Sequence, residues 1–306
     1  HGGDLYIGIK SPSMIGSEGK AQRIELVTAS IDGRRLAGRN LEVIIDKVEW
    51  NSVFRDGAWV SEESRTPVER QQVTSDQQGE ASLSFTPSEG GSYQVRAVAQ
   101  DSGGRTVSSS ITIWVTSSSF VAWQSRQLDT INLVSSRSSY QPGETAEILI
   151  PSPFAEPTWA LISVERASIL RYEVVQLSSN STVYQLPIEK DDAPNIFVSV
   201  VLFAGPGNGE TTAKTRVGTL PLTVEPIPQR LEVSITPSSA QSEPGATVDY
   251  SIEVRDSQGK GVPAELSLDL VDKAVLSLRP RPENAIVEGF YNKRSLQVET
   301  ISALSF

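Results

Sequence analysis

Short runs that alternate apolar and polar residues fill the chain from end to end. "IELVTASID", "SYQVRAVAQD" and "SSITIWV" are typical of these runs, and Gly, Pro or Asp separate them. Nowhere does a clean stripe with the helical period of about 3.6 residues persist. Alternation with period two predicts strands with one buried face, and closely spaced turn residues predict antiparallel pairing. The pattern therefore predicts an all-β chain of tandem antiparallel β-sandwich domains, similar to immunoglobulin or fibronectin type III domains.

One stretch near the end departs from this alternation. "LSLDLVDKAVLSLRP" covers residues 266–280, and it begins as an ordinary strand. Leu266, Leu268 and Leu270 are predicted to form the buried face of that strand, each contributing roughly 1.5 to 3 kcal/mol on burial. Beyond Val271 the period of two is lost.

The end of that stretch is predicted to be a short helical turn. Asp272 is expected to cap it, with Lys273 and Ala274 pointing outward. We expect three apolar residues to return to the core: Val275, Leu276 and Leu278. On this interpretation Leu276→Asp would unfold the third domain, and an unchanged melting curve would refute the packing.

Two predicted linkers divide the chain. In each of them the residues between strands are small, polar or rich in proline. "TSSSF" lies at 116–120 and "VEPIPQR" at 224–230. They predict domains at 1–117, 125–226 and 227–306. The first two pieces have the roughly 100 residues that a seven-stranded sandwich needs, whereas the third is too short to be complete.

An internal repeat supports this division. In each unit a turn glycine precedes a strand, and a second landmark follows fourteen positions later: Gly19 and Gly33, Gly143 and Pro157, Gly245 and Gly259. Glycine permits the backbone to turn into the strand, and "DG" or "SQG" is predicted to reverse it as a hairpin. One unit has therefore been used three times.

A further repeated pattern occurs late in the first two units only. "GGSYQVRAVAQDSGG" and "APNIFVSVVLFAGPGNG" each give a turn, a long strand and a Gly-rich reversal. The third unit has no equivalent of these two stretches within the sequence. We therefore expect that its last strands lie beyond this chain or come from another chain, since an open apolar edge would be sticky. We expect the chain to be a piece of a longer protein.

Composition removes several classes of function. The chain has 306 residues with 27 Lys and Arg against 37 Asp and Glu, a net charge of −10, which disfavours nucleic acid as a partner. There is no Cys and one His. Thiol nucleophiles, His- or Cys-based zinc sites and His-based acid–base catalysis are thereby excluded. The longest apolar run, "IFVSVVLFA", has the length of a strand rather than of a membrane span.

Several short motifs have ordinary structural explanations. The Ser-x-x-Lys spacing occurs at Ser17–Lys20 and Ser257–Lys260, but both matches fall in Gly-containing loops without the companion motifs of an acylating enzyme. "GPGNGE" at 205–210 is followed by no helix and is predicted to be a long hairpin loop rather than a phosphate site. The turns at 101–104 and 256–259 have too few oxygen ligands for calcium.

Carboxylates and tryptophans keep two other hypotheses open. Paired acids could serve glycoside hydrolysis, but a solvated acidic surface is the simpler explanation: Glu62 with Glu63, Asp191 with Asp192, Glu42 with Asp46. The five tryptophans could form a sugar platform: Trp50, Trp59, Trp114, Trp123 and Trp159. Trp114 and Trp159 are predicted to be core residues within strands, and Trp50 to lie near a surface loop. Asn180-Ser181-Thr182 is a formal N-glycosylation acceptor.

Four groups of residues resemble segments of the α2-macroglobulin family, and specifically of its bacterial members. They are "SSYQPGETAEILIPSPF", "ALISVERASILRYEVVQL", "PNIFVSVVLF" and "EPGATVDYSIEVRDSQGKGVPAELSLDLVDKAVLSL" followed by "FYNKRSLQVET". The first unit, with "DGRRLAGRNLEVII" and "GGSYQVRAVAQDSGG", resembles the domain that precedes them in that family. The resemblance covers almost the whole chain, and the order and spacing of the motifs carry it.

The resemblance implies macroglobulin-like sandwich domains in a broad-range protease inhibitor. In that family a protease cuts an exposed bait segment, the molecule rearranges, and the protease is trapped; many members also attack it with a Cys-Gln thioester. No thioester lies in this chain, because it has no Cys. The resemblance also implies a periplasmic or cell-envelope location, a role in bacterial defence, target proteases as partners through the full-length protein, a possible penicillin-binding protein partner and a possible lipid anchor outside this chain.

We place the bait region after Thr300, at or beyond Phe306, because "RSLQVET" still alternates as a strand. The bait-proximal, protease-sensitive candidates are Lys293 and Arg294, with Arg279 and Arg281 as further basic residues. We predict no catalytic residue, no cofactor and no metal, and hence no enzyme. The alternative is an envelope adhesin or carbohydrate-binding array of Ig-like repeats, in which Trp50 and Trp59 would bind glycan. An enzyme that uses carboxylate chemistry is the third hypothesis.

Overall fold

The structure is a computed structural model. It describes residues 3–55, 58–123, 130–155, 158–205, 213–243, 245–271, 274 and 285–299. Nearly every regular element in these ranges is a strand, so the predicted all-β class is confirmed.

The first module is a sandwich of two sheets. Its strands are β1 Tyr6–Lys10, β2 Ile15–Ser17, β3 Gln22–Ala29, β4 Asn40–Arg55, β5 Ala58–Thr74, β6 Glu80–Phe85, β7 Gly91–Gln100 and β8 Thr106–Thr116. One sheet has the order β1-β3-β6 and the other β2-β8-β7-β4-β5. Alternation along β7 buries Tyr93, Val95 and Ala97 in the core between the sheets, as a period of two requires.

The second module repeats this arrangement. Its strands are β9 Val134–Ser135, β10 Ser139–Tyr140, β11 Thr145–Pro151, β12 Thr158–Glu165, β13 Ile169–Leu177, β14 Ser181–Pro187, β15 Asn195–Ala204 and β16 Lys214–Val224. The sheets have the orders β14-β11-β9 and β10-β16-β15-β12-β13. Strand by strand this is the topology of the first module. The repeat found in the sequence is therefore a repeat of structure, down to a parallel pair that β2 forms with β8 and β10 forms with β16.

The turns in the middle of the first two units do not make hairpins, which corrects the prediction for Gly33. β3 and β4 belong to different sheets, and so do β11 and β12. The turn at Ser30–Arg34 closes only a local bridge between Ala29 and Arg35 before the chain crosses the core. The same turn chemistry serves a hairpin and a crossover, so the sequence predicted the reversal but not its destination. Gly33 has a φ of 81°, which favours glycine there.

Among its described residues, the third unit contains one strand pair, β17 Glu232–Pro237 with β18 Tyr250–Arg255. This pair corresponds to β1 with β3 and to β9 with β11. Gly245 precedes β18 with a φ of 87°, as Gly19 and Gly143 precede their strands with 70° and 91°. The turn glycines of the three units are thus equivalent in conformation as well as in spacing.

The predicted strand at residues 266–270 is not formed. Leu266, Leu268 and Leu270 are 49%, 59% and 92% exposed, so their assignment to a buried face is wrong for this structure. In the first two modules the corresponding strand, β4 or β12, lies between two partner strands. Among the described residues of the third unit no such partner lies beside 266–270, and a strand without a hydrogen-bonded neighbour has neither pairing nor a surface to cover its side chains. The predicted cap at Asp272 and the packing of Leu276 lie outside the described residues.

A short helix, α1 Ala285–Phe290, follows, and two 3-10 turns lie at Lys190–Asp192 and Ile227–Gln229. The first two modules also touch each other through the backbone. The Met14 N–H donates to the Ser136 carbonyl at 2.9 Å, while the Met14 carbonyl accepts from Trp114 N–H at 2.9 Å. Met14 therefore joins the last strand of the first module to the beginning of the second.

Candidate functional site

Residues 291–299, here called the tail segment, follow α1 and contain both predicted protease-sensitive residues. The segment has neither helical nor strand structure, and the side chains of Lys293 and Arg294 are exposed. The last hydrogen bond of α1 runs from Tyr291 N–H to the Val287 carbonyl at 2.8 Å. After it, the chain leaves the helix and passes along the second module.

One side chain of the second module binds the backbone of the tail segment. Asn195, the first residue of β15, accepts a hydrogen bond from Arg294 N–H through Oδ1 at 2.8 Å. Its Nδ2 donates to the Arg294 carbonyl at 2.9 Å. The amide therefore pairs with both backbone groups of Arg294, as a neighbouring strand would, and we call this contact the Asn195 clamp.

A second tether lies three residues further along. Gln297 N–H donates to the carbonyl of Arg166, directly after β12, at 2.9 Å. Burial alternates here: Leu296 and Val298 are half-buried. Ser295, before Leu296, and Gln297, between the two, are exposed. The alternation that the sequence shows in "RSLQVET" is thus retained, although the segment is held by two hydrogen bonds at Arg294 and one at Gln297 rather than by a full strand ladder.

The turn that carries Asn195 is held by two arginines. Arg166 Nη1 donates to the Ala193 carbonyl at 2.9 Å, and its Nη2 donates to the Asp191 carbonyl at 3.3 Å. Asn195 itself is 5% exposed. Its amide therefore projects from a fixed position at the end of the sheet.

The second arginine pairs with a buried acid. Arg171 donates through Nη1 and Nη2 to the two carboxylate oxygens of Asp192, at 2.8 and 2.7 Å. Asp192 is 1% exposed and also accepts from Glu189 N–H at 2.8 Å. The hydrogen bonds to Asp192 are the main cause that raises the pKa of Arg171, since they favour its charged form. A buried carboxylate with this many donors is a structural element, not a free acid for catalysis.

The sequon residue Asn180 performs a second clamp. Its Nδ2 donates to the Val121 carbonyl at 2.7 Å, and its Oδ1 accepts from Val121 N–H at 3.1 Å. Trp123 Nε1 donates to the Asn180 carbonyl at 2.8 Å. Asn180 is 6% exposed, so its amide is committed to holding the linker between the modules, and a glycan on it would require that contact to break.

Five of the six paired carboxylates are each joined to an arginine. The contacts are Glu42–Arg70 at 3.3 Å, Asp46–Arg96 at 4.0 Å, Glu62–Arg55 at 2.7 Å, Asp192–Arg171 at 2.7 Å, and Glu63–Arg65. Most of them link neighbouring strands across a sheet. This arrangement is typical of structural ion pairs and does not place two free acids across a cleft.

The tryptophans are not gathered into one platform among the described residues. Trp159 is 51% exposed on the outer face of β12, so its assignment to the core is wrong: the neighbouring Ala160 is fully buried, and alternation turns Trp159 outward. Trp114 is half-buried beside the contact between the modules. Trp50 is half-buried within β4 rather than in a loop, because β4 and β5 continue as a ribbon beyond β7, and the side chain of Trp59 lies outside the described residues.

The remaining short motifs lie in turns and loops. Lys20 N–H donates to the Ser17 carbonyl, and the turn at 256–260 is closed by two backbone N–H groups that donate to Asp256 Oδ1. Asp101 closes the turn at 101–105 in the same way. β15 and β16 pair as an antiparallel hairpin, although most of its Gly-rich loop, 206–212, is outside the described residues.

The described part of the chain contains neither a metal-site candidate nor a candidate membrane span. No group of three or more His, Cys, Asp or Glu in it is arranged to hold a metal ion. Within the same residues no helix has the length and apolar character needed to cross a membrane.

Some predicted features lie outside the described residues, and some contacts of the site were not predicted. Arg279, Arg281 and the bait position after Thr300 lie outside the described residues. The two clamps were not predicted from the sequence. The only local signal for the Asn195 clamp is a polar residue that opens an otherwise apolar strand, "NIFVSVVLFA".

Comparison with known proteins gives two consecutive domain matches. A family model described as bacterial macroglobulin domain 6 matches residues 8–115, and one described as the α2-macroglobulin bait region domain matches residues 131–278. An α2-macroglobulin homolog of Nostoc sp. is 28% identical over 295 residues, which are 92% of this chain and 15% of the relative. A homolog of Deinococcus radiodurans is 30% identical over 262 residues, 85% of this chain and 24% of the relative.

Among solved structures, the native conformation of Escherichia coli α2-macroglobulin is similar over 84% of this chain and 17% of that chain, with 20% identity and a TM-score of 0.32. The chain spans less than a quarter of the length of each of these proteins. Its two domain matches follow each other along the sequence and come from one family. The chain therefore belongs to the α2-macroglobulin family, among its bacterial members, and contains the bait region domain of that family.

Proposed function

We propose that this chain is the structural part of a broad-range protease inhibitor that presents a bait segment and traps the protease that cuts it. Membership in the α2-macroglobulin family and the match to its bait region domain carry the proposal. The three units at 1–117, 125–226 and 227–306 form the scaffold, and the bait follows Thr300. The chain itself performs no catalysis.

The tail segment suits this role because only a few hydrogen bonds among the described residues hold it on the second module. Arg294 and Gln297 are its hydrogen-bonded points on the second module. A long insertion beyond such a segment costs little, since loop entropy grows by about 0.6 kcal/mol for each doubling of length. The bait can therefore remain open to proteases of many kinds without weakening the modules that carry it.

Lys293 and Arg294 are the bait-proximal residues that we propose as protease-sensitive. The partners are the target proteases, through the full-length protein. A periplasmic or envelope location, a lipid anchor outside this chain and a penicillin-binding protein partner stay predictions from the family resemblance.

Limited trypsin digestion of the full-length protein tests the proposal. We expect the first cut to fall beyond residue 270, followed by a change in electrophoretic mobility and by protection of a macromolecular substrate from the added protease. A small peptide substrate is the control, because a trapped protease still meets it. A first cut inside residues 10 to 270, or cleavage without protection of the large substrate, contradicts the proposal.

A further inference from the structure

The Asn195 clamp contacts both peptide bonds at which a trypsin-like protease would cut the tail segment. Cleavage after Lys293 breaks the bond to Arg294 N, and the hydrogen of that nitrogen is donated to Asn195 Oδ1 at 2.8 Å. Cleavage after Arg294 requires attack on its carbonyl carbon, and the carbonyl oxygen accepts from Asn195 Nδ2 at 2.9 Å. One amide thus binds a reacting group of each scissile bond.

These are the groups that a protease itself must bind. Extended peptides are recognised through their backbone hydrogen bonds, and the scissile carbonyl must enter the oxyanion hole. While Asn195 holds Arg294, neither group is free. The exposed side chains of Lys293 and Arg294 are therefore recognisable to a protease, whereas their peptide bonds are not.

The clamp is rigid on its own side. Arg166 donates to the Ala193 carbonyl at 2.9 Å, the Arg171–Asp192 pair fixes the adjacent residue, and Asn195 is 5% exposed. The tail segment, in contrast, has exposed residues on both sides of the contact. Opening therefore means that the tail segment leaves the second module while Asn195 stays in place.

We propose that Asn195 is a positioning residue that keeps the Lys293 and Arg294 peptide bonds closed to trypsin-like proteases until the tail segment is released. This rests on the proposed function and assigns its regulation at the same site. In the intact protein the first cut then falls beyond residue 299, and cuts at 293 and 294 follow.

The test is a time course of limited trypsin digestion of the full-length protein, with cut sites identified by mass spectrometry. When opening is fast relative to cleavage, the rate at a site follows the population of its open form. Asn195→Ala should raise the rates after Lys293 and Arg294 about tenfold. Asn195→Asp keeps the acceptor for Arg294 N–H but loses the donor, so we expect an intermediate rate, a grading that general destabilisation would not produce.

Asn180→Ala is the matched control. It removes the same type of clamp from Val121, so it should leave the rates after Lys293 and Arg294 unchanged. If Asn195→Ala unfolds the second module, Gln297→Pro decides. It removes the N–H that binds the Arg166 carbonyl, and although the ring also fixes φ at 297, it does so in an exposed residue of the tail segment and not in the second module. It should also raise both rates.

Equal rates at 293 and 294 in the wild type and in the folded variants overturn the clamp. That result is distinct from failure of the proposed function, which would show as a first wild-type cut inside residues 10 to 270. A first cut at 293 or 294 in the wild type also overturns the clamp, while leaving the bait proposal standing.

Discussion

The second module and the third unit begin with the same structural plan and differ in how far it is completed. β9 pairs with β11, and β17 pairs with β18, each pair with a positive-φ glycine before its second strand. In the second module β11 is covered from Ile148 to Pro151, and Ile148 and Ile150 are 0% exposed. At the corresponding places of β18, Tyr250 is 46% exposed and Ile252 is half-buried.

The difference shows that strand formation and burial have separate causes. Local pattern and turn chemistry suffice to pair two strands in the third unit. Burial needs the opposite sheet. The second module supplies it as the five-stranded sheet β10-β16-β15-β12-β13. A two-stranded sheet alone is marginal in water, so the third unit depends on further partners for its stability.

The largest expected effect comes from truncating the same side chain in both regions. Ile150→Ala should lower the free energy of unfolding of the second module by about 2 to 5 kcal/mol, because it leaves a cavity in a covered core. Ile252→Ala at the corresponding position should cost less than about 1 kcal/mol. Urea unfolding followed by far-UV circular dichroism measures both. Equal losses would mean that the third unit is packed as tightly as the second module.

The next largest effect concerns ion pairs. Arg171→Met leaves the buried Asp192 carboxylate without its arginine partner. The free energy of unfolding should fall by about 3 kcal/mol, the low end for a broken buried pair, because Arg171 is partly exposed. The control is Arg255→Met, whose pair with Glu253 in β18 is half-exposed on both sides and should contribute less than about 0.5 kcal/mol. Thermal melting of both variants decides. A cost for Arg255→Met that matched the cost for Arg171→Met would contradict the contrast in burial.

The turn glycines give a smaller effect. Gly143→Ala should destabilise the second module by about 1 kcal/mol, because an L side chain is disfavoured at a φ of 91° although no atom blocks its Cβ. Gly245→Ala, at a φ of 87°, should strain its own turn equally but leave the unfolding midpoint of the second module unchanged. A shift of that midpoint by Gly245→Ala would show that the two regions unfold as one unit.

The smallest effect is a titration that is silent at neutral pH. Burial, helped by the hydrogen bond to Glu173 at 2.8 Å, raises the pKa of Tyr184 to about 12. Since its folded pKa lies above the unfolded value, the stability from this tyrosine is complete below about pH 10 and is lost as the pH rises through 12. Absorbance of tyrosinate in the wild type minus Tyr184→Phe isolates the step. A difference curve centred near pH 10 would contradict the buried environment.

Alternation predicted most strands of the first two modules, because each has one face on a core and one on solvent. β7 is the clearest example, with Tyr93, Val95 and Ala97 buried in turn. It did not predict that the turn at Gly33 leads to the opposite sheet, because turn residues describe a local reversal only. Nor did it predict that Leu268 is exposed, because burial depends on strands far away in sequence.

The candidate site shows the same limit. Residue type alone identified Lys293 and Arg294 as basic residues in a polar stretch, and the structure places both side chains on the surface. The Asn195 clamp joins residues 99 positions apart, through backbone atoms that every residue shares. A contact made by the backbone leaves no trace in the sequence of the segment that is bound.

The parallel pair of β2 with β8 has a mechanical consequence. β2 is near the beginning of its module and β8 is its last strand, and they are joined in register from Ile15 with Trp114 to Ser17 with Thr116. A force that pulls the two ends of the module apart acts along these strands and loads their hydrogen bonds together, in shear, instead of opening them one after another. β10 with β16 repeats the device. Each module can therefore transmit tension along the chain as an intact body, so that displacement is concentrated in the linkers.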